Sequence, residues 1–132
     1  MWKKVPVSTR CRTELLNIDS LVAEVVRNEG VKEGLCYIYV PHTTAGITIN
    51  ENADPAVCED IINELNKIVP FEDGYSHMEG NSAAHIKACM VGFSQVVPIS
   101  GGKLVLGTWQ SVYFCEFDGP RRRHVYVKVI AG

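Results

Sequence analysis

Apolar residues recur along this chain with two different periods, and the switches between them mark out its elements. Residues 2–13 alternate weakly, with Val5 and Val7 in phase, and predict an opening strand. From Ile18 to Asn28 the spacing becomes helical, with Leu21, Val22, Val25 and Val26 as the apolar stripe. Asn17 or Asp19 can cap that helix, and Gly30 is placed to end it. The segment LCYIYVP, residues 35–41, is nearly all apolar and rich in β-formers, as a central strand requires. Ile47 and Ile49 then alternate with Thr48 and Asn50, which predicts a strand with one polar face.

Asp54-Pro55 is a helix start, with a capping carboxylate followed by proline at the first helical position. Val57, Ile61, Ile62, Leu65 and Ile68 follow at helical spacing until Pro70. A polar loop, FEDGYSHMEG, covers residues 71–80, and a short helix runs from about Ser82 to Val91, capped by Asn81 or Ser82. VVPIS-GG-KLVLG reads as a hairpin about a Gly-Gly turn. TWQSVYFCEFDG and HVYVKVI are two more strands, separated by the turn Asp118-Gly119-Pro120. The expected architecture is a single α+β domain over residues 1–132, with a large mixed, mostly antiparallel sheet of about six strands and about three helices.

Bulk composition narrows the function classes. A net charge of −2 with pI near 6.1 argues against nucleic acid as the partner, because duplex binding needs a broad cationic face. No apolar run is long enough to cross a bilayer, and the N-terminal segment has no apolar secretion core, so the expected location is the cytoplasm with no membrane partner. The five cysteines, Cys11, Cys36, Cys58, Cys89 and Cys115, include no C-x-x-C pair and are expected to be reduced and mostly buried. Cys115, beside Glu116, is the one candidate among them for metal or nucleophilic chemistry.

The candidate chemistry centres on histidine. Of four histidines, His42 follows a strand and Pro41, His77 lies in the polar loop, and His85 falls in the first turn of the short helix. Three imidazoles meeting across such a loop would make an open divalent-metal site, suited to zinc. Their spacing matches no zinc signature, and each is equally readable as a hydrogen-bonded loop or capping residue. Glu51 is a candidate general base, histidine partner or magnesium ligand, or else a solvated turn charge. Gly80-Asn81-Ser82 offers backbone donors to a phosphate. Thr108, Gln110 and Glu116 alternate on one predicted strand and so share a face. Arg121 to Arg123 can clamp a phosphate or line an edge strand, but neighbours on a strand face opposite ways.

The segments HTTAGITINENADP, HMEGNSAAHIK and GTWQSVYFCEFDGPR, in this order, resemble the YjbQ family, also called secondary thiamine-phosphate synthase. The resemblance covers nearly the whole chain. It implies an α+β fold, a compact homotrimer, and a polar pocket of His42, Thr43, Asn50, Glu51, His77, His85, Gln110 and Glu116. It also implies metal at His42, His77 and His85, and weak condensation of hydroxymethylpyrimidine pyrophosphate with a thiazole phosphate. The expected roles are then catalysis by Glu51, Gln110 and Glu116, and substrate binding by Thr43, Asn50, Asn81, Ser82, Thr108 and Arg121. The ligand is a phosphorylated small molecule and the ion zinc, or magnesium carried by a pyrophosphate. A metal-dependent hydrolase and a non-catalytic trimeric binding module are the alternatives.

Overall fold

The computed structural model describes residues Met1–Gly132 and contains eight strands and three helices. In chain order they are β1 (Lys3–Ser8), β2 (Glu14–Asn17), α1 (Asp19–Glu29), β3 (Glu33–Tyr39), β4 (Ala45–Glu51), α2 (Pro55–Ile68), α3 (Ser82–Val91), β5 (Ser94–Ser100), β6 (Lys103–Leu104), β7 (Gln110–Glu116) and β8 (Arg122–Ala131). The α+β class is as expected. The single large sheet divides into two, of order β1-β8-β3-β5-β6 and β2-β7-β4, and every pairing is antiparallel.

The main core lies between the two sheets and α1. Cys36, Ile38, Val97, Ile99, Val125 and Val127 from the larger sheet meet Ile47, Val112 and Phe114 from the smaller one. Val22, Val25 and Val26 of α1 complete it. A second, smaller cluster lies around α3, where Ala84 and Ala88 pack with Cys115 and Phe117, and Leu65 of α2 joins from its edge. The three-stranded sheet is therefore a middle layer with apolar cover on both faces, which is why Ser111 to Glu116 of β7 are all buried. The outer face of the five-stranded sheet has no such cover. Leu35, Tyr39, Val96 and Ile130 stand exposed there, and Trp2 is exposed beside them.

Local signals behave as their chemistry requires, with three departures. Asp54 caps α2 by accepting from the Ala56 N–H at 2.9 Å, Gly30 ends α1 in the left-handed region at φ 69°, and Gly101-Gly102 turns β5 into β6 with both φ positive. The first departure is α3, which neither Asn81 nor Ser82 caps: Asn81 Nδ2 donates to Asp118 at 2.9 Å, and its Oδ1 is buried without a partner. The second is the reach of β8. It begins at Arg122, so the arginine run enters the sheet rather than preceding it. The third is β7, which starts at Gln110 and leaves Thr108 and Trp109 in an exposed turn. The strand predicted over residues 2–13 is confined to β1, and the unpredicted β2 follows it after a bend at Cys11–Thr13. All five cysteines are free, but Cys11 and Cys89 are exposed rather than buried. No helix is long and apolar enough to cross a membrane.

Candidate functional site

The segment after β3, the loop before α3, the first turn of α3 and the start of β8 come together around one cleft of about 430 Å³. Its walls carry no hydrophobic side chain of the usual kind. They consist of Pro41, His42, Thr43 and Thr44 after β3, His77 and Glu79 from the loop, Asn81 and His85 at α3, and Arg121 and Arg123. The three histidines singled out by sequence thus share one cleft, with Thr43, Asn81 and Arg121 from the expected binding set.

The imidazoles divide into two arrangements. His77 and His85 meet edge to face, with ring centroids 5.4 Å apart. His42 lies against β8 instead, where its Nε2 sits 3.1 Å from both the backbone N–H and the carbonyl of His124. Two tautomers satisfy that position. Either Nε2 accepts from the His124 N–H and Nδ1 carries the proton, or Nε2–H donates to the His124 carbonyl and Nδ1 offers a lone pair. Burial, then the nearby Arg123 and His124, hold the His42 pKa below the ordinary histidine value, so the ring is neutral at pH 7. The His124 ring stacks edge to face on His42 at 5.0 Å. No three histidine, cysteine or carboxylate side chains approach closely enough in this conformation to hold one ion. The preformed element is therefore the His77–His85 pair, with His42 on the same cleft as a separate group.

The two arginines of the cleft are held differently. Arg123 is buried, and its guanidinium forks onto both oxygens of Glu116 while also donating to the Thr44 hydroxyl at 2.8 Å. Glu116 also accepts from Thr9 Oγ1 at 2.7 Å and from the Asp118 N–H at 3.0 Å. Burial works to raise the Glu116 pKa, but the hydrogen bonds from Arg123, Thr9 and Asp118 outweigh it and hold the carboxyl below its usual range. Arg121 is exposed. It spends Nε and Nη2 on Asp118, at 2.8 and 3.0 Å, and leaves Nη1 without a protein partner. Asn81 Nδ2 donates to the same Asp118 oxygen, Oδ2, that Arg121 Nη2 contacts.

Several expected site residues fall elsewhere. Glu116 is a fully buried anchor for Arg123, and a carboxylate so held is a poor proton acceptor. Glu51 pairs with Gln110 at the far end of the β4–β7 ladder, six residues along β4 from the Ala45–Glu116 pair that adjoins the cleft. At a strand rise of about 3.3 Å per residue that is a separation of roughly 20 Å within one chain. Gln110 accepts from the Gly107 N–H at 2.8 Å, and Asn50 Oδ1 from the Glu51 N–H at 2.7 Å, so both serve local turns. Thr108 is exposed in the turn before β7, and Ser82 lines the neighbouring surface beside Tyr75 and His85 rather than the cleft. Sequence reading missed Thr44, Glu79 and Arg123. For Arg123 the signal was present, since strand alternation turns one of the three arginines inward, but only the start of β8 says which.

A family model described as "UPF0047 protein YjbQ-like" matches residues 3–132. A UPF0047 protein of Methanocaldococcus jannaschii is 54% identical over 130 residues, covering 98% of this chain and 94% of that protein. The UPF0047 protein YugU of Bacillus subtilis is 48% identical, with 98% and 99% covered. Among solved structures, an uncharacterized conserved protein of the YjbQ/UPF0047 family from Clostridium acetobutylicum superposes with a TM-score of 0.95 at 51% identity, covering 97% of this chain and 99% of its own. A YbjQ-like protein of unknown function from Sulfolobus solfataricus gives 0.94 at 35% identity, covering 100% and 97%.

Proposed function

The chain belongs to the UPF0047 YjbQ-like family, and from that premise we propose that its polar cleft binds a phosphorylated small molecule together with a divalent metal ion and acts on it as an enzyme. The observation that carries this reading is the single cleft in which Arg121 and the uncapped start of α3 adjoin His77, His85 and His42. The open guanidinium edge and the free backbone donors of α3 suit phosphoryl oxygens. The paired imidazoles suit a borderline ion such as zinc better than magnesium, which prefers oxygen ligands. The donor set fits such an ion as two imidazoles with remaining positions open to ligand oxygens or water, and His42 is the third candidate ligand on the same cleft. When bound, the ion supplies charge neutralisation at phosphoryl oxygens and an acidified water.

The chain's own residues do the rest. Arg121 orients the phosphate and is itself oriented by Asp118. Arg123, fixed by Glu116, keeps the wall at Thr44 rigid. Neutral His42, with its orientation set by the His124 backbone, accepts or donates a proton at Nδ1 according to tautomer. The named reaction is the condensation of hydroxymethylpyrimidine pyrophosphate with thiazole phosphate, in which the departing pyrophosphate needs this cationic wall. Imidazole ligands more often activate water, and that favours metal-dependent phosphoester hydrolysis as the second reading. For the assembly we propose a homotrimer that covers the bare apolar face of the five-stranded sheet.

The test assays metal-free, zinc-, manganese- and magnesium-loaded protein on the condensation pair and on a panel of phosphomonoesters. His85→Ala and Arg121→Ala are the accompanying variants. Turnover that follows metal occupancy and is lost in His85→Ala supports the enzyme. Arg121→Ala should weaken phosphorylated ligands by about 1.5–3 kcal/mol relative to their unphosphorylated analogues. Tight binding without turnover on any substrate would replace the enzyme with a binding module.

A further inference from the structure

We propose that Phe71, gripped between the cations of Arg12 and Lys87, is the positioning residue that sets His77 against His85. The proposal deepens the reading of the imidazole pair given above, yet it rests on geometry that can be tested with no metal present.

The segment from Phe71 to Asn81, between Pro70 and α3, carries His77 and Glu79 and contains no helix or strand. From Glu72 to Gly80 every residue except Tyr75 is exposed. Its internal bonds, Tyr75 Oη to the Pro70 carbonyl at 2.6 Å and the Gly80 N–H to the His77 carbonyl at 3.2 Å, shape the loop without fastening it to the rest of the molecule. Phe71 does fasten it. The Arg12 guanidinium carbon stands 3.8 Å from the Phe71 ring centroid, and Lys87 Nζ stands 4.1 Å from the same centroid. Asn81 Nδ2 ties the far end of the segment to Asp118 at 2.9 Å, so Phe71 is the anchor on the side that leads into His77.

Lys87 is the residue that needs explaining. It is fully buried, in a stretch of α3 whose other buried residues are Ala83, Ala84 and Ala88. It has no carboxylate partner, since the ion pairs of the molecule are Arg121–Asp118 and Arg123–Glu116. Its ammonium donates to Asn66 Oδ1 of α2 and faces the Phe71 ring. Burying a cation on so little is costly compared with an aliphatic side chain of the same length. Burial, and then the Arg12 charge, lower its pKa accordingly. An aromatic face is attractive to a desolvated cation, and two cations on one ring fix its position. The consequence is geometric. Helix α3 carries His85 directly and, two residues on, grips through Lys87 the root of the loop that carries His77. Both members of the pair are then referred to one helix, which accounts for their close approach across a loop whose other side-chain tether is Asn81 at its far end.

The experiment follows the nuclear Overhauser cross-peak between the His77 and His85 ring protons in metal-free protein. Wild type and Phe71→Tyr, which keeps an aromatic face, should show it. Phe71→Leu, Lys87→Met and Arg12→Gln should lose more than about half its intensity, with melting temperatures near wild type or, for Lys87→Met, above it. Arg12 is exposed, so Arg12→Gln decides the matter if Lys87→Met fails to fold. Zinc titration of the same set is the second readout. Phe71→Leu should weaken zinc about tenfold, the low end of what removing an orienting partner costs, and should add nothing to His77→Ala. A wild-type protein that shows the cross-peak but binds no zinc would remove the metal reading and leave the clamp standing. A cross-peak at wild-type intensity in Phe71→Leu and Arg12→Gln, or its absence from wild type, would overturn the clamp.

Discussion

At the scale of single residues, the least replaceable group in this protein is Glu116. Its buried carboxylate neutralises Arg123 and takes bonds from Thr9 and Asp118, so four hydrogen bonds from three residues converge on two oxygen atoms. Glu116→Gln should cost about 3–5 kcal/mol in denaturant unfolding at pH 7, because it leaves a buried guanidinium without its counter-charge. The carboxyl's folded pKa lies below its unfolded value. Its contribution is therefore present above the ordinary carboxylate range and is lost as pH falls through the folded pKa. The wild-type protein should lose stability as pH falls below about 5, and the variant should show a flatter profile there. His42 is lowered as well, and the sign works in the same direction. The unfolded chain takes up the proton first, so stability falls as pH drops below about 6.5 until the folded ring titrates too. Histidine-detected NMR should find the His42 midpoint below the ordinary histidine value, and a midpoint at or above it would contradict the burial argument.

At the scale of elements, the site depends on how α3 is seated. Its C-terminal end rests on β4 at Gly46, where an added methyl would lie 2.6 Å from the Gly92 carbonyl and 3.2 Å from Val91. The same Gly92 carbonyl accepts the Ile47 N–H at 3.1 Å, so it cannot retreat without breaking a bond. Gly46→Ala should therefore destabilise by about 1–3 kcal/mol and shift α3, displacing His85 with it. The observable is a lower melting temperature together with a changed His85 ring environment. A variant with the wild-type melting temperature and spectrum would mean that β4 yields there. Helix α2 is seated more lightly. Its apolar stripe of Val57, Ile61, Ile62 and Leu65 is only half-buried, and Ile68 is exposed. The periodicity of that helix was plain in the sequence, but periodicity reports which face is apolar and says nothing of how completely a neighbour covers it.

At the scale of the whole molecule, the layering leaves one broad face unfinished. Tyr37, Tyr39 and Leu35 of β3, Val96 and Pro98 of β5 and Ile130 of β8 face outward on the five-stranded sheet, where only Trp2, packed edge to face on Tyr37, gives partial cover. A contiguous apolar sheet face of this kind is ordinarily an interface. Sedimentation equilibrium at micromolar concentration should give three times the chain mass, and Leu35→Lys with Val96→Lys should shift it toward the monomer. A wild-type monomer would refute the proposed assembly. The same face shows how far a one-dimensional pattern can reach. Period-two alternation, the Asp54-Pro55 start, Gly30 and the Gly101-Gly102 turn were all legible, because each is a property of a few consecutive residues. The family, too, was legible in three quoted segments. What they could not supply was proximity. Thr108, Gln110 and Glu116 alternate along one stretch of sequence, yet only Glu116 is near the histidines, because Gln110 and Glu116 stand at opposite ends of the β4–β7 ladder. Arg123 became the buried arginine, and Arg121 the open one, only when pairing with β1 set the start of β8. His42 and His85 belong to one cleft because β4 carries α3 on its back, a packing relation between residues more than forty positions apart. Sequence by itself determined the elements, their order and the chemical types available. The tertiary structure alone decided which of those groups meet, because contact between distant residues depends on sheet register and layer packing, and no local rule encodes either.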